Sequence, residues 1–411
     1  MKILGIETSC DETALCILEA KGDLNAPQFS VVATSLFSQI DIHKEYGGVF
    51  PMLAKREHGL NLVPLFKKLL EDAGNLKLRS SARTDTEAAA ESAKHSEKIE
   101  TTTRAELEKL LEKEPQLSAP LIEFLAQYEK PHIDAIAVTT GPGLEPALWV
   151  GINFARALHA AWNIPIIPVN HMEGHIVSPL LSENMKSASS TEKKPVEFPA
   201  LALLISGGHT ELVLIKHWGD YKILGQTRDD AVGEAFDKVA RMLHLPYPGG
   251  PQISRLAEMA RTHKTSTPPF KLPRPMIKTD DYDFSFAGLK TAALYGIRDH
   301  GHLSESETQG LAQEFEDAVA EVLVTKTMRA AEEFGIKTLI IGGGVVANKF
   351  IRQTFEEKLR AHPDISLLVP TIDLATDNAV MIAMAGYFNH LLGKTFDEPQ
   401  LLKAHGNMKL S

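Results

Sequence analysis

The length, composition and charge of the chain exclude several classes of protein. Its 411 residues suffice for two well-buried domains, and 44% hydrophobic with 23% charged residues is ordinary for a globular protein. No apolar run is long enough to span a bilayer, and MKILGIETSC lacks a signal-peptide pattern, so we expect no membrane partner. The formal net charge of −10 disfavours non-specific binding to nucleic acid. Only Cys10 and Cys16 occur, so we expect no disulfide framework and a cytoplasmic location.

The predicted elements occur in the same order twice. The first series has the strands KILGIET, ALCILEA and FSVVATSLFS, a helix at about 48–74, the strand DAIAVTT, the helix PALWVGINFARALHAAWN and the strand IPIIPVN. The second has the strands ALALLIS, ELVLIKHW and YKILGQT, a helix at 309–335, the strand TLIIGGG, the helix NKFIRQTFEEKLRAH, the strand ISLLVPT and the helix DNAVMIAMAGYFNHLLG. This duplication predicts two α/β lobes, at residues 1–170 and 171–411, with a cleft between them.

Two polar stretches interrupt this pattern. Residues 75–118 contain charges of both signs in nearly equal number and few apolar side chains. Leu107 and Leu111 have the spacing of one helix face, but we expect a solvated insertion, of which residues 78–116 are dispensable for folding. Residues 182–198 are predicted to form a surface loop.

The stretch HMEGH pairs two histidines at helical spacing. On a helix, His171 and His175 lie on the same face, so both imidazoles can bind one metal ion. In zinc proteases with the H-E-x-x-H motif, the glutamate follows the first histidine directly and serves as the general base. Glu173 lies one position later and would point away from such an ion, which argues against peptide hydrolysis. Spacing alone leaves open a metal site and a pair of histidines that bind no metal.

Three strands end in glycine-rich loops, at LLISGGHTEL, VTTGPGLEPAL and LIIGGGVVANK. Glycines let backbone N–H groups approach a phosphate, and two of the loops precede a helix whose N-terminal dipole attracts anions. A single Gly-Gly pair is equally typical of a tight turn between strands. The three loops together predict a nucleotide held between the lobes.

Three aspartates complete the candidate set. Asp11 follows the first strand at a turn, Asp237 lies in the helix GEAFDKVARML, and Asp377 precedes the final helix in LATDNAV. An aspartate at a helix start is most often an N-cap, which is the alternative interpretation of Asp377. If the histidines hold a metal, one carboxylate is the expected third ligand, with coordination positions left for substrate.

Eight motifs connect the chain with a known family. They are, in order, GIETSCDETALCI, GPGL, HMEGH, LISGGHTEL, GEAFDKVARMLHLPYPGGP, DFSFAGLKTA, GGGVVANK and TDNAVMIA, and they extend over nearly the whole chain. Together they closely resemble the TsaD family, the bacterial tRNA N6-adenosine threonylcarbamoyltransferases. The resemblance implies an actin-like ATPase fold, with two duplicated RNase-H-like lobes and a cleft between the lobes.

The resemblance also implies a reaction and its residues. Family members transfer threonylcarbamoyl from threonylcarbamoyl-AMP to N6 of the adenosine beside the anticodon, in tRNAs that read codons beginning with A. Carried over by motif, the metal ligands are His171, His175 and Asp377, with Fe²⁺ the usual ion and Zn²⁺ the alternative. The adenylate would contact Leu204, Ile205, Ser206, Gly207, Gly208, Asp237, Gly250 and Asn348. Asp11 would lie near the reacting group, where it orients the amine or accepts its proton.

Partners and competing functions follow from the same resemblance. Bacterial members act with a TsaB-like paralogue and a TsaE-like ATPase, so we expect low activity from the isolated chain. A small-molecule kinase of the same fold would share the phosphate loops but would not need His171 and His175. A non-catalytic nucleotide-binding scaffold would tolerate loss of Asp11. The chain departs from the bacterial pattern at Glu145–Pro146 and at Met52, and neither departure removes a proposed ligand.

Overall fold

The chain folds into two compact α/β units. The computed structural model describes residues 1–79, 104–181, 196–263, 267–395 and 398–410. The first unit comprises Met1–Gln39, Val49–Gly174 and Asn378–Lys409, and the second comprises mainly Ile40–Gly48 and His175–Asp377. The predicted boundary between residues 170 and 171 lies close to this crossover, but the chain returns to the first unit at Asn378.

The first unit is built on a five-stranded sheet. Its strands are β1 Lys2–Glu7, β2 Glu12–Lys21, β3 Gln28–Ser38, β4 Ala135–Gly141 and β5 Ile166–Asn170, in the order β3-β2-β1-β4-β5. Strands β1 to β3 are antiparallel neighbours, whereas β4 and β5 run parallel to β1. Its helices are α2 Pro51–Asp72, α3 at 104–110, α4 Pro115–Gln127, α5 Glu145–Trp162 and α13 Ala379–Leu391. The central strands β1 and β4 are almost continuously apolar because both faces of the sheet are covered.

The second unit repeats this topology. Its strands are β6 Ala200–Ile205, β7 Thr210–His217, β8 Asp220–Gln226, β9 Thr338–Gly342 and β10 Ser366–Leu368, in the order β10-β9-β6-β7-β8. Its helices are α1 Ile40–Lys44, α7 Val232–Met242, α8 Gly249–His263, α9 Ala287–His300, α10 Glu305–Glu333, α11 Lys349–Leu359 and α12 Ile372–Ala375. Taken from the edge strand β8, the order β8-β7-β6-β9-β10 corresponds to β3-β2-β1-β4-β5 of the first sheet. As in that sheet, three strands are antiparallel neighbours and two further strands run parallel to the central one. The predicted duplication, in two α/β lobes of the same topology, is therefore confirmed.

Helix α13 explains why the C-terminal segment belongs to the first unit. The helix is apolar around its whole circumference, and nearly all of its residues are buried. It packs across β1, β2, β4 and β5. A Cβ on Gly5 would lie 2.3 Å from the carbonyl oxygen of Ala379, so glycine permits the close approach of helix and strand. The last helix of the predicted second domain, 171–411, therefore packs on the sheet of the first unit.

The second half of the predicted insertion is part of the first unit's core. Leu107 and Leu111 are buried in the same cluster as Leu62 and Phe66 of α2. The expectation that residues 78–116 lack core-forming side chains and are dispensable is therefore wrong, because these leucines fill space against α2. Residues 80–103 of this stretch, and 182–195 of the predicted surface loop, lie outside the described residues.

We expect Leu111→Ala to lower the free energy of unfolding by about 2–5 kcal/mol, because truncation of a fully buried leucine leaves a cavity. The neighbouring Glu112 is exposed, so Glu112→Ala should change the stability by less than about 0.5 kcal/mol. Denaturant unfolding of both variants measures the difference. Equal stability of the two variants would show that α3 and the turn after it do not support the core.

Candidate active site

Helix α6, His171–Val177, carries both histidines of the HMEGH motif. It begins directly after β5, where the side chain of Asn170 accepts a hydrogen bond from Met172 N at 2.8 Å. The division between the units falls inside this helix, so the helix itself fixes the separation of His171 and His175. Asp377 Oδ1 lies 3.2 Å from His175 Nε2, and the three side chains offer ligand atoms within 4.8 Å of one another. The fold thus brings together the predicted metal ligands.

Asp377 does not cap the helix that follows it. The N-cap of α13 is Asn378, whose Oδ1 accepts a hydrogen bond from Met381 N at 3.0 Å. The alternative interpretation of Asp377 as the N-cap is therefore wrong. Its carboxylate lies against His175 instead.

The donor set fits a divalent transition metal. Two imidazoles and one carboxylate suit Fe²⁺ or Zn²⁺, and three protein ligands leave coordination positions open. Two ligand atoms that share such an ion, each about 2.1 Å from it, lie roughly 3.0–3.4 Å apart. The 3.2 Å between His175 Nε2 and Asp377 Oδ1 agrees with that spacing. Metal binding at this set stays a prediction.

Glu173 is directed away from the histidines, as its spacing predicts. Its Oε2 accepts a hydrogen bond from Asn389 Nδ2 at 3.0 Å, and its Oε1 lies 3.8 Å from Lys394 Nζ. Burial raises the pKa of the Glu173 carboxyl above its usual range, although the bond from Asn389 opposes that shift. Glu173 is therefore not placed as the general base of a zinc protease.

A buried carboxylate that the sequence analysis did not single out lies behind His171. Glu7, the last residue of β1, is fully buried, and its Oε2 lies 3.0 Å from His171 Nδ1. The hydroxyl of Thr139 donates to Oε2 at 2.7 Å, and Ser9 N donates to Oε1 at 2.5 Å. A glutamate inside the apolar run KILGIE was the available signal, because a carboxylate is rarely buried without polar partners.

The turn that carries Asp11 is held by a buried histidine. His58 Nε2 donates to the carbonyl of Cys10 at 3.0 Å, and Thr13 Oγ1 lies 2.7 Å from His58 Nδ1. These contacts fix the residues on both sides of Asp11, which is itself largely buried. Ser9, two residues earlier, contacts the first motif histidine, with 3.3 Å from Oγ to Nδ1. The loop after β1 therefore brings Ser9 against that histidine, and Asp11 lies two residues further along the same loop.

The second unit contains a cavity of about 580 Å³. Four of the predicted adenylate contacts line it: Gly207, Asp237, Gly250 and Asn348. The other four are not part of this lining: Leu204 and Ile205, buried in β6, and Ser206 and Gly208, beside Gly207. Residues from the first turns of α7, α8 and α11 also face the cavity, so three helix N-termini supply positive potential there. This positive potential favours an anionic ligand.

Two of the predicted contacts also hold helix starts. Asn348 is the N-cap of α11: its Oδ1 accepts from Ile351 N at 2.9 Å, and its Nδ2 donates to Glu316 Oε1 at 2.6 Å. Asp237 Oδ1 accepts from Gly249 N at 2.7 Å, at the start of α8. Alanine at either position would thus disturb the cavity wall as well as any ligand contact.

Sequence reasoning missed a charged cluster in the cavity wall. Arg261 binds Glu316 and Asp317, each with an N–O distance of 2.5 Å, and its guanidinium carbon lies 3.5 Å from the centre of the Phe350 ring. Glu316 is almost completely buried on α10. Arg261, Glu316 and Phe350 are far apart in the chain. The only local signal for the cluster was the adjacent acidic pair, Glu316 and Asp317, within an apolar helical pattern.

The three glycine-rich loops differ in what they offer. The loop at Ser206 is a tight turn, with His209 N donating to Ser206 Oγ at 3.1 Å, yet its Gly207 lines the cavity. The loop at 342–348 contributes Gly344 to the same cavity. In the GPG loop, Gly143 N donates to the carbonyl of Gly406 at 3.0 Å. Leu144 N likewise donates to the carbonyl of Ser9 at 2.7 Å, so these two N–H groups of the loop are already bound by backbone carbonyls, and anion binding at this loop stays a prediction.

Comparison with known proteins identifies the family. The family model described as TsaD, tRNA N6-adenosine threonylcarbamoyltransferase, matches residues 30–80 and 117–384, and the stretch between these segments falls within the predicted insertion. The enzyme of that name from Chromobacterium violaceum is 40% identical over 390 residues, which is 94% of this chain and 92% of that protein. Those from Ralstonia pickettii and Geobacillus kaustophilus are 41% and 37% identical, over 94% and 96% of this chain and 90% and 93% of theirs. The chain therefore belongs to the TsaD family, the tRNA N6-adenosine threonylcarbamoyltransferases.

Proposed function

We propose that this chain transfers a threonylcarbamoyl group to N6 of adenosine in tRNAs that read codons beginning with A, with threonylcarbamoyl-AMP as the donor. Family membership over nearly the whole chain supports the reaction. The observation that carries the assignment to a site is the grouping of His171, His175 and Asp377. A kinase of the same fold has no use for that grouping, so the kinase alternative is not favoured.

The second-unit cavity supports the adenylate part of the proposal. An exocyclic adenine amine is a weak nucleophile, because its lone pair is delocalised into the ring, so the acyl donor must be a reactive mixed anhydride. During transfer the N6–carbon bond forms and the bond from the carbamoyl carbon to the phosphate oxygen breaks, which releases AMP. The N-termini of α7, α8 and α11 favour the negative charge that develops on this phosphate.

The proposed metal site would be formed by His171, His175 and Asp377, with Fe²⁺ or Zn²⁺ as the ion. When bound, such an ion supplies Lewis-acid polarisation. The chain's own residues hold the ligands in place: α6 fixes the two histidines, and the strand-end carboxylate of Glu7 contacts the first of them.

Asp11 is the proposed group that orients the attacking amine or accepts its proton. Its turn is held through His58, and its side chain is largely buried. The proton that leaves N6 as the new bond forms would pass to this carboxylate. A scaffold without catalysis would not need an acid at this position.

Partners and location complete the proposal. A TsaB-like paralogue and a TsaE-like ATPase are expected to act with the chain, as they do for bacterial members of the family. We expect the activity in the cytoplasm, where tRNA is available. Within the part of the chain that the structure describes, no helix is long and apolar enough to cross a membrane.

A reconstituted assay tests the function and the role of Asp11 together. Threonylcarbamoyl-AMP made from radiolabelled threonine, tRNA and the bacterial partners should give label in tRNA. We expect Asp11→Ala to lower transfer by about 10²–10⁴-fold while donor affinity stays within about twofold, since proton transfer belongs to the transition state. Asp41→Ala, at a strongly exposed aspartate, is the control and should transfer normally. No label with all partners present would contradict the function, and undiminished transfer by Asp11→Ala would contradict its role.

A further inference from the structure

We propose that Glu7 is a positioning residue that fixes the orientation and the tautomer of His171, so that Nε2 of this ring is the atom presented to a metal. The inference rests on the proposed metal site and goes beyond it, because it assigns a task to a residue that is not a ligand. It concerns contacts within the first unit only.

The hydrogen bonds around Glu7 determine which ring nitrogen of His171 carries the proton. Thr139 Oγ1 and Ser9 N donate to Glu7 Oε2 and Oε1, at 2.7 Å and 2.5 Å, so both oxygens of the side chain act as acceptors in this network. A ligating histidine as a rule donates its other ring N–H to such an acceptor. At 3.0 Å from Glu7 Oε2, His171 Nδ1 must therefore donate, which leaves the lone pair on Nε2.

The support behind the ring is rigid. Glu7 and Thr139 lie at the ends of the neighbouring parallel strands β1 and β4, at the centre of the first sheet. Ser9 Oγ lies a further 3.3 Å from His171 Nδ1, so the proton-bearing edge of the ring faces this polar group. A carboxylate that accepts from the far nitrogen of a ligating histidine raises its basicity and fixes its direction. The sheet therefore holds the carboxylate in place before any ion binds.

Glutamine at this position separates a positioning role from a structural role. The glutamine side chain of Glu7→Gln would occupy the same volume but place one NH₂ group where a carboxylate oxygen stood. Directed at Ser9 N, this group would oppose another donor, so it is expected to turn toward His171 Nδ1 instead. That nitrogen must then accept, and the proton moves to Nε2. The ring would keep its place and lose its metal-binding lone pair.

The tautomer can be measured on the metal-free full-length chain, without tRNA or partners. In histidine-labelled protein at pH 8, ¹⁵N chemical shifts should show Nδ1–H for His171 in the wild type and Nε2–H in Glu7→Gln. His58 provides an internal reference, since its Nε2 donates to Cys10 O and the opposite tautomer is expected. An Nε2–H tautomer of His171 in the wild-type protein would overturn the proposal, even if Glu7→Gln failed to fold.

Zinc affinity, measured by competition with a chromophoric chelator, supplies the second readout. We expect Glu7→Gln to weaken zinc binding about 10–100-fold. Glu114→Gln is the matched control: Glu114 is also buried in the first unit, but it pairs with Lys55 at 3.2 Å and Asn153 at 3.3 Å. This control should bind zinc within about twofold of the wild type. Equal affinity of folded Glu7→Gln and wild type would refute the positioning role, whereas a wild type without zinc affinity would contradict the proposed metal site itself.

Discussion

Replacing His171 and His175 together by alanine is expected to remove the bound metal and to lower threonylcarbamoyl transfer about a thousandfold. A Lewis acid contributes several kcal/mol of charge stabilisation, and each 1.4 kcal/mol corresponds to about a factor of ten in rate. Both rings are buried on one short helix, and His175 lies 3.2 Å from the third proposed ligand, Asp377. A single carboxylate cannot hold the ion once both imidazoles are gone.

Elemental analysis and the transfer assay measure the two parts of this prediction. Wild-type protein purified without a histidine tag should contain close to one metal ion per chain. The control is His217→Ala with His300→Ala, at two histidines outside the proposed site that pair with Asp220 and Glu307. It should keep both metal and activity. Full metal occupancy in the His171/His175 variant would show that the ion binds elsewhere.

The second large effect is on stability. Lys326→Met is expected to destabilise the second unit by about 3–5 kcal/mol, because it removes the charge from a buried network. The Lys326 side chain is fully buried, and its Nζ donates to Met276 O at 2.8 Å, Thr279 Oγ1 at 2.9 Å and Asp283 O at 2.6 Å. Burial lowers the pKa of this lysine, and nearby Asp281 opposes the shift. These acceptors, on the segment before α9, would lose their donor together.

Denaturant unfolding compares this variant with Lys216→Met, at an exposed lysine of β7. The control should differ from wild type by less than about 0.5 kcal/mol. If both variants unfold at the same denaturant concentration, the segment 276–283 does not depend on Lys326. Because Lys326 lies outside the cavity lining, a properly folded fraction should keep the proposed adenylate binding.

Local patterns in the sequence were sufficient for the strands and for the longest helices, α2, α5 and α10, whereas α8 and α9 were not predicted individually. Apolar runs such as KILGIE and ALALLI are buried on both faces in the structure, and the repeated order of elements became two sheets of the same topology. The destination of α13 was not predictable from its own residues. Burial on all sides shows that a helix is enclosed, but not which sheet encloses it.

Long-range contacts account for the errors. Leu107 and Leu111 are isolated among charges in the sequence, and their burial depends on Leu62 and Phe66 some 40 residues earlier. The GPG loop has the composition of an anion cradle, yet Gly143 N is bound by the carbonyl of Gly406 near the other end of the chain. A local motif indicates which ligand its backbone N–H groups could bind. It does not show whether another part of the chain already accepts hydrogen bonds from those groups.

The candidate site was predictable in its residue types and less so in its supporting contacts. The i, i+4 spacing of His171 and His175 and the motif position of Asp377 were sufficient to select the three side chains that the fold brings together. Glu7 and His58 were missed because each lies in an apolar pattern that also predicts a simple core position. Their polar contacts come from neighbouring strands and loops, and such contacts cannot be predicted from the periodicity of the local sequence.

Mass analysis of tRNA nucleosides from cells depleted of this protein tests the central claim most directly. We expect N6-threonylcarbamoyladenosine to disappear from tRNAs that read codons beginning with A, and to return when the wild-type chain is supplied. The His171→Ala, His175→Ala variant, expressed at the same level, should not restore it. An unchanged amount of the modified nucleoside after complete depletion would contradict the proposed function.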